Sequence, residues 1–185
     1  MSNLNVVDEN DNIIGKETRE NIHKRGLVHR EIAVWVFNDS NEILFQRRSL
    51  KKDRHPGLLS ASCAGHVEIG DDYEQAALRE LEEETGIEAT KEDLIFLGKL
   101  EKGDFDAVSQ PGNNHFKMVY AYHFRKKVSD LKLEEGEATS LEFWPIDKII
   151  NLTDEEKRDF VPSLVNDERY LDMYRKIKSL SSSPK

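Results

Sequence analysis

Apolar residues come in short runs separated by polar turns, and each run suggests an element. Leu4-Asn5-Val6-Val7 and Ile13-Ile14-Gly15 bracket Asp8-Glu9-Asn10-Asp11-Asn12, a cluster that favours tight turns, so an N-terminal β-hairpin is predicted. A short polar helix follows over 18–24 and is stopped by Gly26. Glu31 to Phe37 is rich in β-formers, Asn38 to Asn41 turns the chain, and Ile43 to Gln46 returns as the second strand of a hairpin. After a short strand over 60–64, the pattern becomes helical from Tyr73 to Thr85, where Gly86 is placed to cap the C-terminus. Further strands are predicted at 94–100, 116–124 and 141–144, with a long irregular loop over 103–115 that is suited to lining a site. From Pro162 to Leu180 the chain reads as one helix. Leu164, Tyr170, Leu171, Tyr174, Ile177 and Leu180 lie near one face, an arrangement for core packing or a homodimer contact rather than a membrane anchor.

Composition narrows the function classes. A chain of 185 residues fits one domain with its own core, and residues 181–185 form a fraying tail. The formal charge of −9 argues against a duplex nucleic-acid binder that relies on overall basicity. The lone cysteine, Cys63, permits neither an internal disulfide nor a cysteine-based zinc site, which fits a reducing cytoplasm. The first residues carry no signal-peptide pattern, and the longest apolar run, 32–37, is too short to span a bilayer.

The chemistry is concentrated between Gly65 and Ile87. On a helix, Glu80, Glu83 and Glu84 stand at i, i+3 and i+4, so three carboxylates share one face. Their repulsion, and their position toward the helix C-terminus, call for a compensating positive charge. Oxygen ligands without histidine or cysteine suit Mg²⁺, with Mn²⁺ next. The opposite face carries Tyr73, Ala76, Ala77 and Leu81, small enough for close approach to a sheet. Gly65 and Gly70 flank a loop able to bring backbone groups near a ligand, and Asp71 lies within reach of Arg79, which is read as structural.

This segment resembles the Nudix box: glycine, five residues, glutamate, seven residues, Arg-Glu-aliphatic, one residue, Glu-Glu, one residue, Gly-aliphatic. Gly65, Arg79, Glu80, Leu81, Glu83, Glu84, Gly86 and Ile87 match in register, while Asp71 stands where the family usually has glutamate. The resemblance implies an α/β fold, an α/β/α sandwich with a mixed sheet flanked by the N-terminal hairpin and the C-terminal helix. The implied domain spans the chain, with residues 1–28 as an extension, 29–160 as the core and 161–180 as the closing helix. The implied activity is Mg²⁺-dependent hydrolysis of a nucleoside diphosphate derivative or a similar small diphosphate. Glu80, Glu83 and Glu84 map onto the metal ligands, and Glu80, Glu84 or Glu137 onto the residue that takes a proton from water. Asp71, Arg79 and Gly86 are the structural members. Candidate substrate contacts are Gly65, His66 and the basic strip after the second hairpin, represented by Arg47 and Arg48, with ordinary surface charge as the alternative for that strip.

A second likeness lies within the same superfamily. Asp8 to Gly15, His23, His29-Arg30, Gln46-Arg47-Arg48 and Gly65-His66 resemble the isopentenyl-diphosphate isomerase branch. That branch implies a cysteine immediately before Gly-His, a later glutamate, and a metal held by histidines and glutamates. Here Ala64 holds the cysteine's place, and Cys63, displaced by one, would face the other side of a strand. Residues 113–120 contain no glutamate. The hydrolase reading is therefore preferred, and His23, His29 and His66 are read as structural or surface residues, with metal ligation as the alternative. A third reading, a catalytically silent diphosphate-binding module, is disfavoured by the intact acids.

Overall fold

The structure, a computed structural model, describes residues 3–101 and 114–181. The N-terminal hairpin forms as expected from β1 (Asn3–Val7) and β2 (Ile13–Thr18). Its turn is held by Asp8, which accepts the backbone N–H groups of Asn10 and Asn12 at 2.9 Å each. Helix α1 (Arg19–Arg25) starts at Thr18, whose side chain accepts the Asn21 N–H, and stops at Gly26, whose φ of 63° an L side chain rarely adopts.

The main sheet contains β3 (His29–Phe37), β4 (Glu42–Arg48), β5 (Leu59–Ser60), β6 (Cys63–His66), β7 (Leu94–Glu101), β8 (His115–His123) and β9 (Ala138–Pro145). Its main path runs β5-β4-β3-β8-β7, with β6 paired to β3 and β9 paired to β4. Among the described strand pairs, β3 with β8 is parallel and the others are antiparallel, so the sheet is mixed. Strands β3 and β4 pair at Phe37 and Ile43 and then diverge. Ser62 stands between them, where its hydroxyl accepts the Val36 N–H at 2.8 Å and donates to the Leu44 carbonyl at 2.5 Å. That side-chain bridge replaces ladder bonds, and the strand predicted over 60–64 is divided into β5 and β6 around it.

Strand β3 is an almost unbroken apolar run because both of its faces are covered. Ile32, Val34 and Val36 pack with Leu44 toward Ala76, Ala77 and Leu81 of α2 (Tyr73–Thr85). Trp35 and Phe37 join Ile43 and Phe45 on the other face, where they meet α3 (Ile146–Ile150), α4 (Pro162–Asn166) and α5 (Glu168–Ser181). This is the expected sandwich. The single C-terminal helix predicted over 162–180 is divided at Asp167, which leaves helical geometry and accepts the Arg169 N–H at 3.0 Å, the local bond by which aspartate competes with helix continuation. Tyr170, Met173, Tyr174 and Ile177 face the sheet, so the stripe read as core or dimer contact packs within the chain, while Leu180 points partly to solvent. Among the described residues, no helix is long and apolar enough to cross a membrane. Most of the loop predicted over 103–115 and the tail after Ser181 lie outside the described residues.

Candidate functional site

Helix α2 has the boundaries expected from sequence. Asp72 and Gln75 form a reciprocal capping box at its start, and Gly86, at φ 71°, donates its N–H to the Glu82 carbonyl at its end. The small residues of its inner face bring its first two turns against β6 and β3, and Leu81 fixes its rotation. Glu80 and Glu84 are thereby turned into a cavity of about 280 Å³ at the edge of the sheet. Glu83, the third predicted ligand, lies on the cavity's solvent side.

Glu84 is almost fully buried, with 5% of its surface exposed. Burial and the neighbouring Glu80 carboxylate push its pKa well above the ordinary value, against the pull of the Gln46 amide, which donates to Oε2 at 2.6 Å. Glu80 is also raised, by burial, although Arg79 opposes the shift. Its carboxylate rests over Gly65, where a Cβ would collide with it, so the glycine is required by the acid that crosses it. Two neighbouring carboxylates whose pKa values burial raises, held on rigid elements around a polar cavity, form a donor set that fits a hard divalent cation.

Arg79, read from sequence as structural, lies between the loop and the acidic helix. It meets Asp71 at 3.4 Å, so the shorter acid still reaches, and it also contacts Glu80 at 2.8 Å, Glu83 at 3.2 Å and the His66 carbonyl at 3.1 Å. The loop and the acidic helix are thus tied at one guanidinium. Glu137, on the turn before β9, lines the cavity and pairs with Lys52. Glu134, which the sequence did not single out, lines the same cavity.

Of the predicted substrate contacts, Gly65, His66 and Arg48 line the cavity, whereas Arg47 does not. Arg47 instead binds Glu142 at 2.7 Å and Asp159 at 2.7 Å, and donates to the Gly57 carbonyl at 3.0 Å. Adjacent residues of a strand face opposite sides, so Gln46 and Arg48 point toward α2 while Arg47 points away. The expectation for Arg47 is corrected accordingly.

A cluster of histidines next to this cavity, which it joins through His66, was the least visible in sequence. His23 from α1, His29 from β3 and His66 from β6 gather so that one ring nitrogen of each lies within 4.8 Å of the others. The His29 and His66 rings stack at 5.1 Å, with His23 edge-on to both. Burial lowers His23 to about 4 and His66 to about 3, so both are neutral imidazoles at neutral pH. Neutral nitrogens so placed are a second set able to hold a metal ion, one of softer preference than Mg²⁺. Glu31 sits at the base, 3.3 Å from His29 Nε2, 3.6 Å from His66 Nε2 and 3.3 Å from Lys117 Nζ. Burial acts to raise the Glu31 pKa, but His115 and Lys117 outweigh it and hold the carboxyl well below its usual range. Arg19 and Leu4, from the N-terminal segment, also line the cavity.

The isomerase thiol is misplaced. Cys63 is buried among Val34, Leu44 and Leu81, where burial pushes its pKa up, and Ala64 faces the cavity. On β8, the residues nearest Glu31 are His115 and Lys117, not acids.

A mixed sheet between helical layers, with the Gly65 to Ile87 motif wrapped around an acidic cavity, defines a class, and comparison with known proteins agrees: the chain belongs to the NUDIX domain family, matched over residues 27–164. It is similar to an uncharacterized Nudix hydrolase of Pseudomonas aeruginosa, 34% identical over 139 residues that span 74% of this chain and 75% of that one. It is also 30% identical to an isopentenyl-diphosphate Δ-isomerase of Serratia proteamaculans over 159 residues, 84% of this chain and 82% of the isomerase. Among solved structures, a Deinococcus radiodurans protein superimposes with a TM-score of 0.69 at 19% identity, covering 95% of this chain and 99% of that one. At that identity the likeness concerns the fold.

Proposed function

We propose that this protein hydrolyses the phosphoanhydride bond of a nucleoside diphosphate derivative or a similar small diphosphate, with Mg²⁺ as its cation and Mn²⁺ as a substitute. The observation that carries this reading is the pair Glu80 and Glu84, whose pKa values burial raises, in a cavity also lined by Arg19, Arg48 and Lys52. Such a cavity suits a ligand that is itself anionic and arrives with a divalent cation.

Glu80, Glu84 and, from the solvent side, Glu83 would hold the cation. When bound, Mg²⁺ neutralises diphosphate oxygens and makes a nearby water more acidic. The chain's own residues do the rest. Gln46 fixes the Glu84 carboxylate by its 2.6 Å hydrogen bond, Gly65 leaves room for Glu80, and Arg79 holds the loop that carries Gly65 and His66. Glu80, Glu84 and Glu137 each present a carboxylate to the cavity, and one of them accepts the proton of the attacking water. Arg48 and His66 stand where the substrate's phosphates pass.

The isomerase reading has one observation in its favour, the gathered imidazoles of His23, His29 and His66. Against it stand Cys63 in the core and Ala64 at the cavity. Incubation with Mg²⁺ and a panel of nucleoside diphosphate derivatives, dinucleoside polyphosphates and prenyl diphosphates separates the two. Release of phosphate or mononucleotide is expected. Conversion of a prenyl diphosphate to its double-bond isomer, without hydrolysis of any member, would overturn the proposal.

A further inference from the structure

The stretch from Gly65 to Tyr73 carries the glycine and histidine of the site and opens the acidic helix, yet its own anchor is slack. Arg79 reaches Asp71 at 3.4 Å, long for a charge-assisted hydrogen bond, where the family's usual glutamate would extend one methylene farther. A second set of contacts holds the same stretch from outside, and it comes from the N-terminal hairpin. Leu4 of β1 forms a β-bridge with Glu68, in the middle of the loop. At the loop's far end, Asp11 of the hairpin turn accepts the hydroxyl of Tyr73, the first residue of α2, at 2.9 Å.

Asp11 is the hub of these contacts. Its Oδ1 accepts Arg30 Nε at 2.7 Å, its main-chain carbonyl accepts Arg30 Nη2 at 2.5 Å, and Lys99 Nζ lies 3.6 Å from Oδ2. One turn residue is therefore tied to β3, β7 and α2 at once, and with 13% of its side chain exposed it is screened less than a surface ion pair. The Arg30 guanidinium also lies over the Tyr73 ring, 5.3 Å from its centre, and the Arg30 carbonyl accepts the Val67 N–H at 3.0 Å, so the residue that grips the turn also grips the loop. Burial and the bond to Asp11 raise the Tyr73 pKa, which keeps the phenol protonated as the donor. The turn itself does not need the Asp11 carboxylate. Asp8 closes it locally, and Asp11 contributes a φ of 66°, a conformation that asparagine also adopts.

We propose that the N-terminal hairpin braces the motif loop, with Asp11 as a positioning residue that fixes the 65–73 segment, and through it Gly65 and the start of α2, in the geometry that turnover requires. This rests on the hydrolase reading of the cavity and adds a residue to it. The hairpin lies before residue 27, where the family match begins, so the brace is not part of the matched domain. It holds the loop at Glu68 and at Tyr73, on either side of Gly70, whose φ of 105° marks the bend. Arg79 donates to the His66 carbonyl and contacts Glu80, so a shift of the loop passes to the acid that rests over Gly65. Misplacement of a reacting group by a fraction of an ångström lowers turnover while leaving the chain folded.

The test combines turnover with hydrogen exchange in Asp11→Asn, Tyr73→Phe and the double variant. Glu17→Gln, which removes an ion pair with Arg25 internal to the N-terminal segment, is the control and should match wild type. Each single variant is expected to lower kcat about tenfold, with KM within about twofold. Because both substitutions dismantle one contact, the double variant should lose little more than the stronger single one. In NMR-detected exchange, the Val67 and Asp71 amides, bonded to the Arg30 and Glu68 carbonyls, should lose protection about tenfold in both variants while amides of β4 and β9 keep theirs. A general loss of stability would lower protection in all of these places. Wild-type kcat in both single variants, an additive loss of about a hundredfold in the double variant, or exchange at Val67 and Asp71 that is unchanged or no faster than the loss in β4 and β9 would overturn the brace. If the wild-type protein cleaves no phosphoanhydride, the hydrolase reading fails, and the exchange result alone upholds or overturns the brace.

Discussion

The two faces of the sheet are built from the same strands and put to different uses. Toward α5 the core is dry and aromatic: Trp35 packs edge-on to Tyr174 at 5.0 Å and near Phe45 at 5.4 Å, and Phe45 meets Phe160 at 5.2 Å. Toward α2 the core is made of small and aliphatic residues, with Glu84 and Gln46 buried at its margin. Large rings fill volume and stabilise. Alanines let a helix come close enough to press carboxylates against the sheet, at a cost in solvation that only a bound cation or a proton relieves. Stability and chemistry are thus assigned to opposite sides of one set of strands, and substitutions on each side should separate them.

The largest effect is expected on the aromatic face. Trp35→Ala removes a fully buried ring and should lower unfolding free energy by about 3–5 kcal/mol, measured by urea denaturation, while the α2 acids stay in place. On the other face, Glu84→Gln and Glu80→Gln should each lower turnover at least about a hundredfold, roughly 2.7 kcal/mol of transition-state stabilisation, without loss of folding stability. Gly65→Ala comes next. By displacing the Glu80 carboxylate it should lower turnover about tenfold, with the fold intact by circular dichroism.

A subtler contrast appears with pH. Because the native pKa of Glu84 is raised, the folded protein keeps a proton that the unfolded chain releases near 4.5. Without divalent cation, this group therefore makes stability fall as pH rises from 4.5 through its native pKa. His23 and His66 act oppositely, since their native values of about 4 and about 3 lie below 6.5, and they add stability as pH rises toward that value. The difference between wild type and Glu84→Gln isolates the first slope. Denaturation midpoints collected from pH 4.5 to 7.5 in chelator should show the variant gaining on wild type as pH increases. A constant gap would remove the buried-carboxylate argument. The smallest effect is expected from Cys63→Ala, which should leave turnover unchanged, whereas an inactive variant would restore the isomerase reading.

How much of this was legible in sequence differs between the acidic helix and the rest of the site. The three acids lie on one continuous helix with strong end signals, Asp72 and Gly86, so periodicity alone placed Glu80, Glu83 and Glu84 together. The histidine cluster and the remaining lining are assembled from α1, β3, β6 and the loop after β4, and only tertiary structure gathers His23, His29 and His66 and brings Glu31 and Arg19 to the cavity. Some of what was missed was nevertheless available. Strand alternation already separates Arg47 from Arg48 and groups Gln46 with Arg48. The break at Asp167 was likewise foreshadowed by Asn166-Asp167, two residues whose side chains favour capping over helix interior. Why Glu80 needs Gly65 was not available, because that contact joins a strand to a helix 15 positions later and depends on their packing distance.

The most direct measurement is a crystal structure with Mn²⁺ and a non-hydrolysable diphosphate analogue, read by anomalous scattering. The account expects a Mn²⁺ peak within about 2.0–2.3 Å of carboxylate oxygens of both Glu80 and Glu84, bridging to the diphosphate. A bound diphosphate with no cation at those oxygens would contradict it.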